Sequence, residues 1–176
     1  MVLLLAACAP GAGSVGGADY DPAYDFSEFY RVTDGRTLRV TGNPFPSIRP
    51  EEMRERLLPV MQTNRPRPRL TFSYATPAET PHPDYRLVLV FDAANDLTAA
   101  RVCADQIRTN PDPSGRVAVF GVYCRNDSAL SQAVATTTAS APEDPNMGRL
   151  LGQLFLVMFT EVPPIDRPRF PFVFPR

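Results

Sequence analysis

The sequence predicts an α/β (α+β) domain: a four- or five-stranded mixed sheet with two main helices on one face, in the order β-α-β-β-(α)-β-β-α. Three observations carry that expectation. Residues 85–92 (YRLVLVFD) and 117–124 (VAVFGVYC) are apolar on both alternating faces at their centres, the pattern of strands covered on both sides. Met53, Leu57, Val60 and Met61 recur at helical spacing and form one apolar stripe. Residues 146–160 are apolar nearly all round, through Leu150, Leu151, Leu154, Phe155, Val157, Met158 and Phe159, and too short to span a bilayer, so they read as a core helix. Sheet segments that need cover on two faces, with helices able to supply it, define layers.

The elements follow in chain order. Residues 19–30 mix Asp19, Asp21, Asp25 and Glu28 with Tyr20, Tyr24, Phe26, Phe29 and Tyr30, and read as an extended lead-in whose rings pack on the domain. Residues 37–41 alternate apolar and polar as a half-buried strand does, and Gly42-Asn43-Pro44 ends it. A helix starts at Pro50, with Glu51 and Glu52 placed to complement its dipole, and Pro59 interrupts its last turn. Arg65-Pro66-Arg67-Pro68-Arg69 reads as a stiff, solvated connector. Residues 70–74 alternate as a second strand. After a proline-rich turn comes the 85–92 strand, expected mid-sheet. Residues 97–108 read as a short helix carrying Cys103. The 117–124 strand, a turn at 125–128 and a threonine-rich strand at 129–138 complete the sheet. From residue 163 to 176 five prolines exclude helix or central strand. In an extended chain Phe170, Phe172 and Phe174 fall on one side, and the expectation is that the protein's own sheet covers them, with a partner-binding groove as the alternative.

Composition narrows the chemistry. The chain has 176 residues, enough for one domain with tails, and a formal net charge of -1. All 18 of its cationic side chains are arginine, so no lysine can act as nucleophile, form a Schiff base or clamp a phosphate. Near-neutral charge argues against a general nucleic-acid binder. The sole histidine, His82, sits between Pro81 and Pro83 in a polar loop and reads as exposed and idle. No serine occupies a strained Gly-x-Ser-x-Gly turn, no glycine loop suits a phosphate, and no cluster suits a metal, so neither metal nor cofactor is expected. A carboxylate pair from distant positions stays open. Asp92 and Asp96, at the end of the central strand, stand where such groups often lie, as do solvated turn acids.

The string Leu5-Ala6-Ala7-Cys8, after the apolar run from Val2, resembles the lipobox of bacterial lipoproteins. Small side chains let an extended backbone enter a signal peptidase, and the thiol accepts the lipid. The resemblance implies residues 1–7 as signal peptide and a diacylglyceryl group on Cys8. No positive charge precedes Cys8, the pattern of a leader shortened at its start. Ala9 is not the aspartate that retains many such proteins in the inner membrane, which points to the outer one. Residues 8–25 then form the lipidated cysteine and a glycine-rich flexible tether that would hold the body about 23 Å from the lipid. Residues 26–162 form the domain and 163–176 the tail. With Cys8 given to lipid, Cys103 and Cys124 form an even pair, expected as a disulfide in an oxidising periplasm; in a cytosolic protein they would sit as buried thiols. The body, through YRLVLVFD and VAVFGVYCRND, resembles uncharacterised small lipoproteins of high-GC proteobacteria, a resemblance that brings no catalytic residue. The expected function is a lipid-anchored, periplasm-facing module that binds an envelope protein. An envelope hydrolase using a carboxylate pair and a small-ligand carrier are the alternatives.

Overall fold

The computed structural model describes residues 13–31, 36–65, 70–74, 84–112 and 114–163. Among these, six strands build one mixed sheet: β1 (Ser14–Tyr20), β2 (Arg36–Thr41), β3 (Phe72–Ser73), β4 (Tyr85–Phe91), β5 (Arg116–Arg125) and β6 (Ser128–Thr138). Four helices accompany them: α1 (Phe26–Arg31), α2 (Pro50–Thr63), α3 (Ala99–Cys103) and α4 (Pro145–Met158). The spatial order is β1-β6-β5-β4-β2-β3. β2 runs parallel to β4 and β3; every other pairing is antiparallel.

The α+β class, the mixed sheet and the mid-sheet position of β4 are as the sequence predicts. β4 sends Leu87, Leu89 and Phe91 to one face and Val88 and Val90 to the other, all fully buried. The first face meets Met53, Leu57 and Met61 of α2 and Met147, Leu150, Leu151, Leu154, Phe155 and Met158 of α4 in one continuous core. The second face meets Leu97, Val102 and Cys103 around α3, with Phe120, Val122 and Cys124 of β5. α2 runs through Pro59 to Thr63, and α4 keeps nearly the predicted span.

Three segments differ from expectation. The glycine-rich run from Ser14, expected as tether, is a sixth strand: Ser14 pairs with Thr136, Val15 with Ala135 and Gly16 with Val134. Such a run buries little side chain, but its backbone groups complete the ladder along β6. The register shifts between Gly16 and Asp19, where Gly17 takes φ +61°, as a bulge requires. The domain therefore begins well before residue 26. In the acidic-aromatic segment, Phe26–Arg31 is helical rather than extended. Asp25 caps it, its carboxylate accepting from the Ser27 amide at 2.7 Å, with Glu28 at the third helical position. The expected strand at 70–74 is cut to Phe72–Ser73, and the helix expected over 97–108 to Ala99–Cys103.

The aromatic lead-in has a structural task. The last carbonyls of an α-helix lack intrahelical donors. Here the Tyr20 hydroxyl donates to the Val157 carbonyl, Ser131 to that of Met158 at 2.8 Å, and Tyr24 to that of Thr160 at 3.0 Å. Phe29 stacks on Phe159 with centroids 4.3 Å apart. The end of α4 is thus closed by β1, β6 and the segment leading into α1.

Gly42 ends β2 at φ +80°, and a Cβ there would lie 2.3 Å from the Phe91 carbonyl oxygen. Both the left-handed backbone and the backbone contact exclude a side chain. Gly42→Ala should lower unfolding stability by at least about 2 kcal/mol, read as a reduced urea midpoint at unchanged slope.

Candidate functional site

The most unusual chemistry in the described residues lies where β4 ends. Asp92 follows Phe91 with φ +50°, a conformation that aspartate and asparagine tolerate better than most residues. Its backbone is held on both sides: its amide donates to the Ala118 carbonyl at 3.0 Å, and its carbonyl accepts from the Asn110 amide at 2.7 Å. An isolated bridge joins Ala93 to Thr109. The residue is 7% exposed, and its Oδ1 has no hydrogen-bond partner. Burial pushes the Asp92 carboxyl up, the backbone amide of Asp112 opposes that rise, and the Asp112 carboxylate adds to it. Asp112 itself is held low, first by the Ser114 amide that donates to it at 2.8 Å, then by the Ser114 side chain, with Arg116 adding attraction. The two acids thus shift in opposite directions, with the Asp112 carboxylate acting on Asp92.

The sequence had pointed to Asp92 with Asp96, and the structure places these two differently. Asp96 is exposed and ion-paired with Arg108 and, at 3.9 Å, with Arg101. Arg108 holds its carboxyl low. Asp96 is therefore engaged by cations, whereas Asp112, passed over in the sequence, is the acid coupled to Asp92. The signal that could have found it was faint: Asp112-Pro113-Ser114-Gly115 is a turn string, and nothing in its spacing leads back to β4.

Cys103 and Cys124 form a disulfide, Cα to Cα 5.7 Å, joining α3 to β5. The Arg86 guanidinium reaches the Cys103 carbonyl from β4. A closed loop of this length stabilises a fold by about 3 kcal/mol in the chain-entropy view. Elsewhere Tyr85 and Arg125 converge on Glu28, the arginine at 3.1 Å, tying α1 to the ends of β4 and β5.

Open recesses flank the sheet. One of about 590 Å³ lies between β2 and α2, lined by Leu38, Val40, Glu51, Arg54, Glu55 and Tyr74. Burial pushes the Tyr74 hydroxyl up to about 12 there, and it donates to the Arg54 carbonyl. A second, of about 380 Å³, carries Asp19, Asp21 and Asp127 beside Ala99. Among the described residues no group of His, Cys, Asp and Glu side chains could hold a metal ion, and no helix is long and apolar enough to cross a membrane. Cys8, His82, Phe170, Phe172 and Phe174 lie outside the described residues, as do prolines 66 and 68 of the basic connector.

No protein-family model matches the chain, and no curated protein shows significant similarity to it. Solved structures that resemble it include the PelC dodecamer from Paraburkholderia phytofirmans, at 11% identity and a TM-score of 0.44, over 86% of this chain and 100% of that one. A point variant of the same PelC matches at 11% identity and 0.44, over 84% of this chain and 98% of that one. A likeness this distant decides neither activity nor assembly.

A carboxyl with a raised folded-state pKa binds more protons folded than unfolded, so it favours folding at low pH and loses that contribution as pH rises. Relative to Asp92→Asn, which keeps shape and tolerates the same φ, the native protein should therefore lose stability as pH climbs above the ordinary aspartate value of 3.8. Melting temperatures of the two proteins across acid to neutral pH check this. Parallel curves would show that Asp92 titrates normally.

Proposed function

We propose that the chain is a lipid-anchored, periplasm-facing protein that acts by binding another protein of the cell envelope. The observation that carries the reading is the Cys103–Cys124 disulfide. Structural disulfides persist in oxidising compartments. Pairing these two leaves Cys8 as the one remaining cysteine of three, and it sits at the end of Leu5-Ala6-Ala7-Cys8, the position of a lipidated thiol. Acyl chains at about 0.8 kcal/mol per buried methylene would hold the protein on a membrane without a spanning helix.

Partner binding draws on the far end of the domain. Leu156 and Val162 are 66% and 68% exposed at the end of α4. Val162 directly precedes the 163–176 segment, which bears Phe170, Phe172 and Phe174. Large apolar side chains left in water near an alternating run of phenylalanines fit a binding surface for another protein. A second reading, hydrolysis of an envelope glycan or lipid, is favoured by Asp92, buried with its Oδ1 unpartnered and with Asp112 beside it.

Metabolic labelling with a palmitate analogue should mark the native protein, and Cys8→Ala should abolish the label. Equal labelling of both, or of neither, would sink the anchor. A photo-crosslinking side chain at position 156, used in intact membranes, should give one discrete adduct. That adduct should vanish when Phe170, Phe172 and Phe174 are all replaced by serine. An adduct unchanged in the triple variant would remove the tail from the interface, and no adduct at all would argue for the hydrolase instead.

A further inference from the structure

We infer that the protein lies directly on the bilayer by the Ser14 end of β1, with that edge of the sheet against lipid headgroups, rather than standing off on a long tether. The inference rests on the lipid at Cys8 proposed above. Its own basis is where the fold begins. Ser14 is already in register with Thr136, and its hydroxyl meets the Thr136 hydroxyl at 3.0 Å. Gly13 is packed as well: a Cβ there would meet Leu150 Cδ1 and the Thr136 carbonyl oxygen, each at 3.1 Å. Only residues 9–12 separate Cys8 from Gly13. Five steps of backbone span at most about 18 Å even when fully extended. Five strand spacings across the sheet are about 24 Å, and the length of β6 exceeds 30 Å on the order of 3.3 Å per residue. The leash is shorter than either dimension of the body it holds.

The surface at that end suits a headgroup layer. β1 is the terminal strand among the described residues, so the backbone groups on its outer edge can bond to phosphates and their water. No charge occurs on β1 from Ser14 to Ala18; Asp19, Asp21 and Asp127 lie at the opposite end of the β1–β6 pair, while Asp92 lies level with Ser14 across the sheet, through Ala118 and Thr136. Exposed Arg149 follows the first turn of α4, its guanidinium on Asn146, whose amide donates to the Thr138 carbonyl at the Ser14 end, and the acids beside it, Asp144 and Glu143, face Arg149 and Arg56.

The chain contains no tryptophan, so one introduced indole is an unambiguous reporter. Gly16→Trp places it on β1, where a Cβ at residue 16 meets nothing within 4 Å, and Ala18→Trp is a second probe farther along the strand. Asp127→Trp reports the opposite pole and Glu55→Trp the far edge. Each variant is purified in its cell-processed form and reconstituted into phosphatidylethanolamine–phosphatidylglycerol vesicles carrying a headgroup-nitroxide lipid. Quenching at position 16 should exceed that at 127 and 55 by roughly threefold, given separations on the order of 20 Å, with position 18, farther along β1, in between. Uniform or reversed quenching in protein that carries the lipid mass on Cys8 overturns the orientation alone. Protein lacking that mass and failing to float with the vesicles overturns the anchor and the orientation together.

Discussion

Two strands that are apolar on both faces set the terms for the rest of this fold. β4 and β5 lie at the centre of the sheet and must be kept from water on each side. On one side α2 and α4 do this with long apolar stripes. On the other the cover is slight: a five-residue helix, α3, with Leu97 and Val102. A helix that short has no independent stability, because its nucleation cost is barely offset by propagation. The disulfide to Cys124 and the Arg86 contact to the Cys103 carbonyl hold it where the strands need it. The cystine is therefore part of the second layer itself.

The same logic of closing exposed groups explains the N-terminal segment. α4 contributes more to the main core than any other helix, yet its C-terminus would leave carbonyls unpaired beneath the sheet edge. Tyr20, Tyr24 and Ser131 supply the hydroxyls, and Phe29 covers Phe159. Arginine does the corresponding work at the surface. Arg56 grips Glu143 and reaches Glu52 at 3.3 Å, joining α2 to the approach to α4, and Arg39 pairs with Asp105. Such exposed pairs add little energy singly. Their planar forks nonetheless fix the relative placement of elements more narrowly than lysine would.

These features bear on function through position. If Cys8 carries lipid, starting the fold at Gly13 turns a flexible mooring into a short one, and the domain acquires a near end and a far end relative to the membrane. The exposed Leu156 and Val162 lie at the end of α4 closed by Tyr20 and Tyr24, whereas Ser14 lies beside the start of that helix. Asp92 lies level with Ser14 across the sheet, through Ala118 and Thr136. It marks the turn where β4 hands the chain to the disulfide-bound layer, and its buried, unpaired oxygen is the least satisfied acid in the described fold.

Much of this was written in local pattern. The two-sided strands, the α2 stripe, the α4 core helix and the threonine-rich β6 follow from side-chain periodicity, which a linear reading can see. The Asp25…Glu28 capping signal for α1 was also present, but the surrounding acids and rings made it read as an extended lead-in. Three things only the folded chain decided. β1 is held by backbone hydrogen bonds to β6, and a run of glycines carries no side-chain trace of such pairing. The coupling of Asp92 to Asp112 brings together residues from separate loops. The hydroxyls that close α4 come from more than a hundred residues upstream, as with Tyr20 at 137 residues from Val157. Side-chain pattern records which face is buried, whereas backbone pairing and long-range electrostatics depend on what the rest of the chain brings alongside.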